Sequence, residues 1–99
     1  MRTNFAIAAL TLIFGLAAGT LAPAAQSDSH PRLPPGEGRD VMIRVCSGCH
    51  SPDQAADQDL DAAGWKKLVD EMASNGANGT EAEFEQIVKY LAASFPPSR

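Results

Sequence analysis

The chain has 99 residues and a formal charge of −4 at pH 7, with 12 Asp and Glu against 8 Lys and Arg. This length predicts one small domain, in which the protein core alone would be marginal. The acidic balance argues against binding to nucleic acids or to anionic membrane surfaces, because both need a basic patch, and it permits a basic partner protein.

The first 24 residues have the features of a secretory signal peptide. Arg2 gives a positive start, residues 5–19 form an apolar run, and a small-residue cleavage site ends at Ala24. An uncleaved membrane anchor is the alternative, but the apolar run is shorter than the roughly 20 residues that span a bilayer. We therefore expect export, cleavage near Ala24 and no stable membrane insertion afterwards.

Residues 25–37 are rich in Pro, Ser and charge, which predicts a flexible or extended leader. The domain itself is expected over residues 38–99. It opens with an apolar segment, 38–45, that predicts a short helix, although its β-branched residues leave a strand possible.

Residues 46–50 read Cys-Ser-Gly-Cys-His, the pattern of covalent c-type haem attachment. Cysteines at i and i+3 lie about one helical turn apart, so both sulfurs can reach the vinyl-derived carbons on one edge of a porphyrin. The adjacent His50 falls beneath the ring, where its imidazole can bind iron as the proximal ligand. The motif predicts one haem c per chain, held by thioethers from Cys46 and Cys49. Bacteria complete this attachment outside the cytoplasm, so motif and export signal together predict a periplasmic location.

Three other chemistries remain open for the two cysteines. A redox dithiol is typical of a strand–helix–strand setting, and no convincing strand precedes Cys46. A zinc site needs four ligands, and beyond the motif the sequence offers only the distant His30. A disulfide between Cys46 and Cys49 would close a very small loop and leave the position of His50 unexplained.

The polar segment 51–61 predicts a loop along the haem edge, with Asp59 and Asp61 as candidate caps for the following helix. That helix has one continuous apolar face and stops at Asn75-Gly76. The face consists of Trp65, Leu68, Val69 and Met72. Trp65 is expected to be a core residue.

A capping box from Thr80 to Glu83 opens a last helix, which Pro96-Pro97 ends. Its apolar residues repeat at helical spacing, and the three expected in the core are Phe84, Ile87 and Phe95. No periodic strand pair and no internal repeat is present. The sequence therefore predicts an all-α fold of about three helices wrapped around the haem.

From residue 38 to residue 95 the chain resembles a small monohaem class I cytochrome c. That family has a glycine and a large apolar residue eight and four positions before the first cysteine, and Gly38 and Met42 stand there. In the family this helix crosses a C-terminal helix bearing an aromatic residue, which Tyr90-Leu91 matches. Gly38 would permit close approach at the crossing.

A narrower similarity is to the cytochrome c modules associated with periplasmic oxidoreductases such as quinoprotein and molybdenum dehydrogenases. The matching residues are Trp65, Val69, Met72, Gly76-Ala77, Glu85, Tyr90-Leu91 and Phe95. This resemblance implies that Met72 is the sixth haem ligand. Unlike mitochondrial-type cytochromes, the chain has no Gly-Pro pair about a dozen residues after His50, so no partner is predicted for that imidazole.

The residues themselves define the sixth ligand less closely. Two methionines remain after signal removal, and Met42 lies on the helix expected to pack away from the iron, which leaves Met72. A methionine at helical spacing is more often only a core residue. His30 is the competing ligand, provided that the leader folds back.

A His/Met pair fills both axial positions and favours ferrous iron, so such a haem transfers electrons. The resemblance thus implies a periplasmic electron carrier, or the small cytochrome subunit of a dehydrogenase, which exchanges single electrons with partner redox proteins. No paired carboxylates, Ser/His/Asp set or phosphate-binding loop indicates an enzyme. The alternative is a haem protein with an open or displaceable sixth site, serving gas binding or catalysis, in which Met72 is a core residue.

Overall fold

The computed structural model describes residues 15–23 and 27–98. Most of the predicted signal peptide and its cleavage point at Ala24 lie outside the described residues. Residues 15–23 have no regular secondary structure and are exposed.

The described part of the chain is helical and contains no strand. Three α-helices, α1 (Arg39–Cys46), α2 (Ala62–Ser74) and α3 (Glu81–Ser94), are joined by a 3₁₀ helix (Pro52–Asp57) between α1 and α2. The all-α class and the three predicted helices are confirmed. Within residues 15–23 and 27–98, no helix combines the length and the apolar character that crossing a membrane requires.

The 3₁₀ helix corrects the prediction of an irregular loop over residues 51–61. The Ser51 hydroxyl accepts a bond from the Asp53 backbone N–H at 3.3 Å, and Pro52 occupies the first position, where its missing N–H costs nothing. Asp61 caps α2 as predicted, because its Oδ1 accepts the Gly64 N–H at 2.8 Å. Asp59 does not; it accepts the Ser98 N–H at 2.9 Å and thereby holds the chain after α3.

The end of α2 is a Schellman motif. Gly76 takes a φ of 104°, in the left-handed region that favours glycine. The Ala77 N–H donates to the Met72 carbonyl at 3.0 Å, and the Gly76 N–H donates to the Ala73 carbonyl at 3.2 Å. The predicted stop at Asn75-Gly76 is confirmed, and the backbone of Met72 is fixed by it.

The capping box at the start of α3 is also confirmed. The Thr80 hydroxyl accepts the Glu83 N–H at 3.2 Å, and the Glu83 carboxylate accepts the Thr80 N–H at 2.9 Å. Both bonds satisfy backbone donors that the first turn of a helix leaves free.

The core gathers one side of each α-helix, with α2 packed mainly on α3 and α1 packed on α3 and the 3₁₀ helix. Its buried apolar residues are Leu33, Met42, Val45, Trp65, Val69, Ile87, Tyr90 and Leu91. Of the three residues predicted for the core of α3 and its end, Ile87 is buried, while Phe84 and Phe95 are partly buried against the core.

Helices α1 and α3 touch where Gly38 precedes α1. A Cβ on Gly38 would lie 2.9 Å from the Cβ of Tyr90 and 3.0 Å from the carbonyl oxygen of Gln86. Gly38 also has a φ of 93°. The close approach predicted at this glycine is confirmed, and both the space and the backbone conformation require glycine there.

Residues 28–36, which we call the strap, belong to the segment 25–37 that was predicted to be a flexible or extended leader, and they are packed on the domain instead of lying free of it. Leu33 is 2% exposed and belongs to the core. The Tyr90 hydroxyl donates to the Pro34 carbonyl at 2.6 Å, and Arg39 Nε donates to the Leu33 carbonyl at 3.0 Å. Because the strap buries an apolar side chain and pairs its carbonyls with other parts of the fold, it is an ordered layer of the domain.

Candidate functional site

A cavity of about 390 Å³ opens between the 3₁₀ helix and the three α-helices. This volume lies within the range of about 300–1,000 Å³ that is usual for small-molecule and cofactor pockets. The cavity wall includes Cys46, Cys49, His50 and Met72, which are all four predicted site residues. Met72 lies 22 positions after His50, the last of the three motif residues. The fold therefore brings two separate parts of the chain to the same cavity.

The two cysteines lie at the junction of α1 and the segment that follows it. Cys46 is the last residue of α1 and is half-buried, while Cys49 is exposed, and both are free thiols. Burial, and to a lesser degree the charge of nearby Cys49, raises the pKa of the Cys46 thiol. Reactive dithiols rely on a lowered thiol pKa, so this environment disfavours the redox-dithiol alternative.

His50 has a fixed backbone neighbour. Its Nδ1 lies 3.1 Å from the carbonyl oxygen of Ser51. In the tautomer with a proton on Nδ1, the ring donates this bond and leaves Nε2 free as a ligand. Ser51 thus supplies the partner that the sequence did not predict. A backbone carbonyl next to the histidine has no side-chain signature, so sequence patterns could not reveal it.

Both remaining methionines line the cavity, which corrects one expectation. Met42 was expected to face away from the site, but it is 3% exposed and forms part of the wall. Met72, in the last turn of α2, is half-buried. Met42 lies one turn before Cys46 on the same helix, whereas Met72 belongs to a different element from the Cys-Ser-Gly-Cys-His segment. Met72 therefore reaches the cavity from α2, which follows the motif in sequence, and not from α1.

Trp65 is fully buried and lines the cavity. Its Nε1 donates to the Phe95 carbonyl at 3.2 Å, and the two ring centroids lie 6.1 Å apart. The prediction of a core residue is confirmed, and the same side chain closes part of the cavity wall.

His30 takes no part in this wall. Its Nδ1 instead lies 3.6 Å from Asp53 Oδ2 on the 3₁₀ helix. The strap folds back, as an axial role for His30 required, but it brings the imidazole to Asp53, and neither residue lines the cavity. Among residues 15–23 and 27–98, no three His, Cys, Asp or Glu side chains are arranged closely enough to hold a metal ion.

Several cavity residues were not singled out from the sequence as site residues. The 3₁₀ helix contributes Pro52, Gln54 and Ala55, with Gln58 directly after it, and the end of α2 contributes Asn75 and Ala77. In the described part of the chain, no Asp, Glu, Lys or Arg lines the cavity. The wall is mostly apolar, its polar groups are the His50 imidazole and the amides of Gln54, Gln58 and Asn75, and it suits a large and mostly apolar ligand.

Searches against protein-family models, curated proteins and solved structures found no match to this chain.

Proposed function

We propose that this protein is an exported c-type cytochrome that carries single electrons. One haem c would be attached through Cys46 and Cys49, with His50 as the proximal iron ligand and Met72 as the sixth ligand. The fold would then be a small cytochrome c fold, in which the cofactor fills the cavity and completes the core.

The observation that carries the proposal is the shared wall of the cavity. The Cys-x-x-Cys-His motif supplies two thiols and an imidazole from one segment, and Met72 faces the same space from α2. Both thiols are free, and the lining is uncharged. Covalent attachment needs these two thiols, and a mostly apolar macrocycle needs such a lining, so the residues fit the group.

When bound, the haem iron would accept or give up one electron by changing between its ferric and ferrous states. The chain's own residues orient and shield it. The Ser51 carbonyl, 3.1 Å from His50 Nδ1, fixes the imidazole plane and raises its basicity as a ligand. The Met72 thioether, a soft donor, favours the ferrous state, and buried Trp65 excludes water from the inner wall.

The partners would be redox proteins of the periplasm. The chain is acidic overall, which suits a basic docking surface and disfavours nucleic acid. The protein would act as a soluble shuttle or as the small cytochrome subunit of a dehydrogenase. It would have no catalytic residues of its own.

To test the proposal, the protein is expressed with its export signal in cells that contain the c-type cytochrome maturation machinery. Mass measurement should find one covalently added haem, and replacing both cysteines with Ala should abolish the addition. The ferric protein should show the weak far-red sulfur-to-iron charge-transfer band. A chain that matures without added mass would refute the haem itself.

The sixth ligand is tested with a matched pair of methionine variants. Met72→Ala should remove the far-red band and lower the midpoint potential, whereas Met42→Leu, a change of similar volume on the same wall, should keep the band. The opposite pattern would assign the ligand to Met42. Rapid carbon monoxide binding by the unmutated ferrous protein would indicate an exchangeable sixth position, and the electron carrier would give way to a gas-binding or catalytic haem protein.

A further inference from the structure

We infer that the strap is a positioning element of the candidate site, which holds the 3₁₀ helix and, through the Ser51 carbonyl, the ring of His50. The inference rests on the proposed function for what His50 binds, but the mechanical link from strap to imidazole consists of contacts within this chain.

One end of the strap is fastened to the start of α1 by Arg39. The Arg39 Nη2 donates to both carboxylate oxygens of Asp28, at 2.9 and 2.7 Å, and to the His30 carbonyl at 2.9 Å. Together with the bond from Nε to the Leu33 carbonyl, one guanidinium binds three points of the strap. The fixed geometry of this fork makes it a rigid anchor.

The strap reaches the 3₁₀ helix through two of its side chains. Arg32 binds Asp57 with both terminal nitrogens, at 3.1 and 2.6 Å. His30 Nδ1 lies 3.6 Å from Asp53 Oδ2, and the two side chains are only 19% and 17% exposed. Both acidic partners belong to the 3₁₀ helix, one near its start and one at its end. The strap therefore binds the end of this short helix through Arg32, and at the start of the helix it packs His30 against Asp53 without a hydrogen bond.

The 3₁₀ helix in turn shares an acceptor with His50. The Ser51 carbonyl accepts the Gln54 N–H at 3.4 Å, the first hydrogen bond of that helix, and faces His50 Nδ1 at 3.1 Å. A short 3₁₀ helix has little stability of its own. Losing the strap contacts should therefore loosen the turn at Ser51 and the orientation of the imidazole together.

The experiment compares the purified full-length protein with a variant in which His30 and Arg32 are both replaced by Gln. Amide hydrogen exchange at Gln54 and Gln58 reports the 3₁₀ helix, and nitrogen NMR of the His50 ring reports the bond at Nδ1. Exchange at both amides should accelerate about two- to ten-fold, since partly exposed ion pairs are weak. The His50 Nδ1 signal should shift away from its hydrogen-bonded position, while amides within α3 should exchange as before.

Two further variants separate positioning from charge and from general destabilisation. Lys66→Gln breaks a comparable ion pair on α2, Lys66 with Asp70 at 2.6 Å, and should leave the Gln54 amide and the His50 ring unchanged. Exchanging the partners, Arg32→Asp with Asp57→Arg, should restore much of the protection that Arg32→Asp alone removes. If the Gln54 and Gln58 amides are unaffected, or if α3 accelerates equally, the strap does not position this site.

The outcome is independent of the proposed function. Hydrogen exchange and the His50 signal decide the inference whether or not haem is attached. Mass measurement on the same samples decides the haem. In protein that carries haem, the midpoint potential should also move in the double Gln variant and not in Lys66→Gln.

Discussion

Replacing Gly38 with Ala tests the crossing of α1 and α3, which sets the direction in which α1 carries Cys46 toward the cavity. Two separate costs arise at this position. The backbone φ of 93° is unfavourable for any residue with a Cβ, and the added methyl would lie 2.9 Å from Tyr90 Cβ and 3.0 Å from the Gln86 carbonyl. Neither neighbour is the free end of a flexible side chain, so the helices have to separate.

Gly76→Ala is the matched control, because it has the backbone cost without the contact. Gly76 has a φ of 104°, and nothing lies within 4 Å of the Cβ position. Left-handed backbone costs about 1–2 kcal/mol in an L residue, and the stiffer unfolded chain returns about 0.4–1 kcal/mol. The free energy of unfolding should thus fall by about 1 kcal/mol in Gly76→Ala. Overpacking adds about 1–3 kcal/mol in Gly38→Ala.

Urea unfolding measures the difference between the two variants in the same cofactor state. With a slope near 1 kcal/mol per M for a small domain, the midpoint of Gly38→Ala should lie about 1–3 M below that of Gly76→Ala. Equal midpoints would mean that α1 and α3 are not in contact at Gly38, and the reasoning about the crossing would fail.

Three further changes test the packing and capping that support the site. Trp65→Phe removes the hydrogen bond to the Phe95 carbonyl and leaves a void in the cavity wall. It should lower the free energy of unfolding, measured by urea titration, by about 2 kcal/mol. An unchanged free energy would mean that the ring lies outside the core. Thr80→Ala should cost about 1 kcal/mol by losing its half of the capping box, and Thr80→Ser should restore most of it in thermal unfolding. The pKa of Glu83 lies below its usual value because the Thr80 N–H, and then the Arg44 side chain, bind its carboxylate. A lowered pKa in the folded state means that this carboxylate stabilises the fold above about pH 4.5 and that the contribution is lost as pH falls through the lowered value. When the free energy of unfolding is measured against pH, Glu83→Gln should therefore lose less stability below that pH than the unmutated chain. If the two proteins lose stability in parallel, the prediction is wrong.

The helices and their ends were accessible from the sequence because they depend on neighbours in the chain. The bonds of Asp61 to Gly64 and of Thr80 to Glu83 join residues three positions apart. Such contacts depend only on the local backbone at the start of a helix, so side-chain type and spacing were enough to predict them. The 3₁₀ helix was not predicted, because its segment is polar and has no apolar residues that recur at helical spacing.

The packing of the strap was not predicted from the sequence for a different reason. Its composition is that of a leader. Composition does not indicate that Leu33 is buried in the core, or that the Pro34 carbonyl accepts a hydrogen bond from the Tyr90 hydroxyl 56 positions later. The same holds for Met42. Helical position alone did not reveal that its side chain borders the cavity, because the cavity exists only after α2 and α3 have packed beside α1.

The sequence by itself determined the helices, their caps and the chemistry-bearing motif of Cys46, Cys49 and His50, because each depends on spacing over a few residues. Tertiary packing alone decided which side chains share the cavity, that Met72 and Met42 both border it, and that the strap braces the 3₁₀ helix beside His50. These features join parts of the chain that are distant in sequence, and burial and charge pairing select them only when the whole domain has formed.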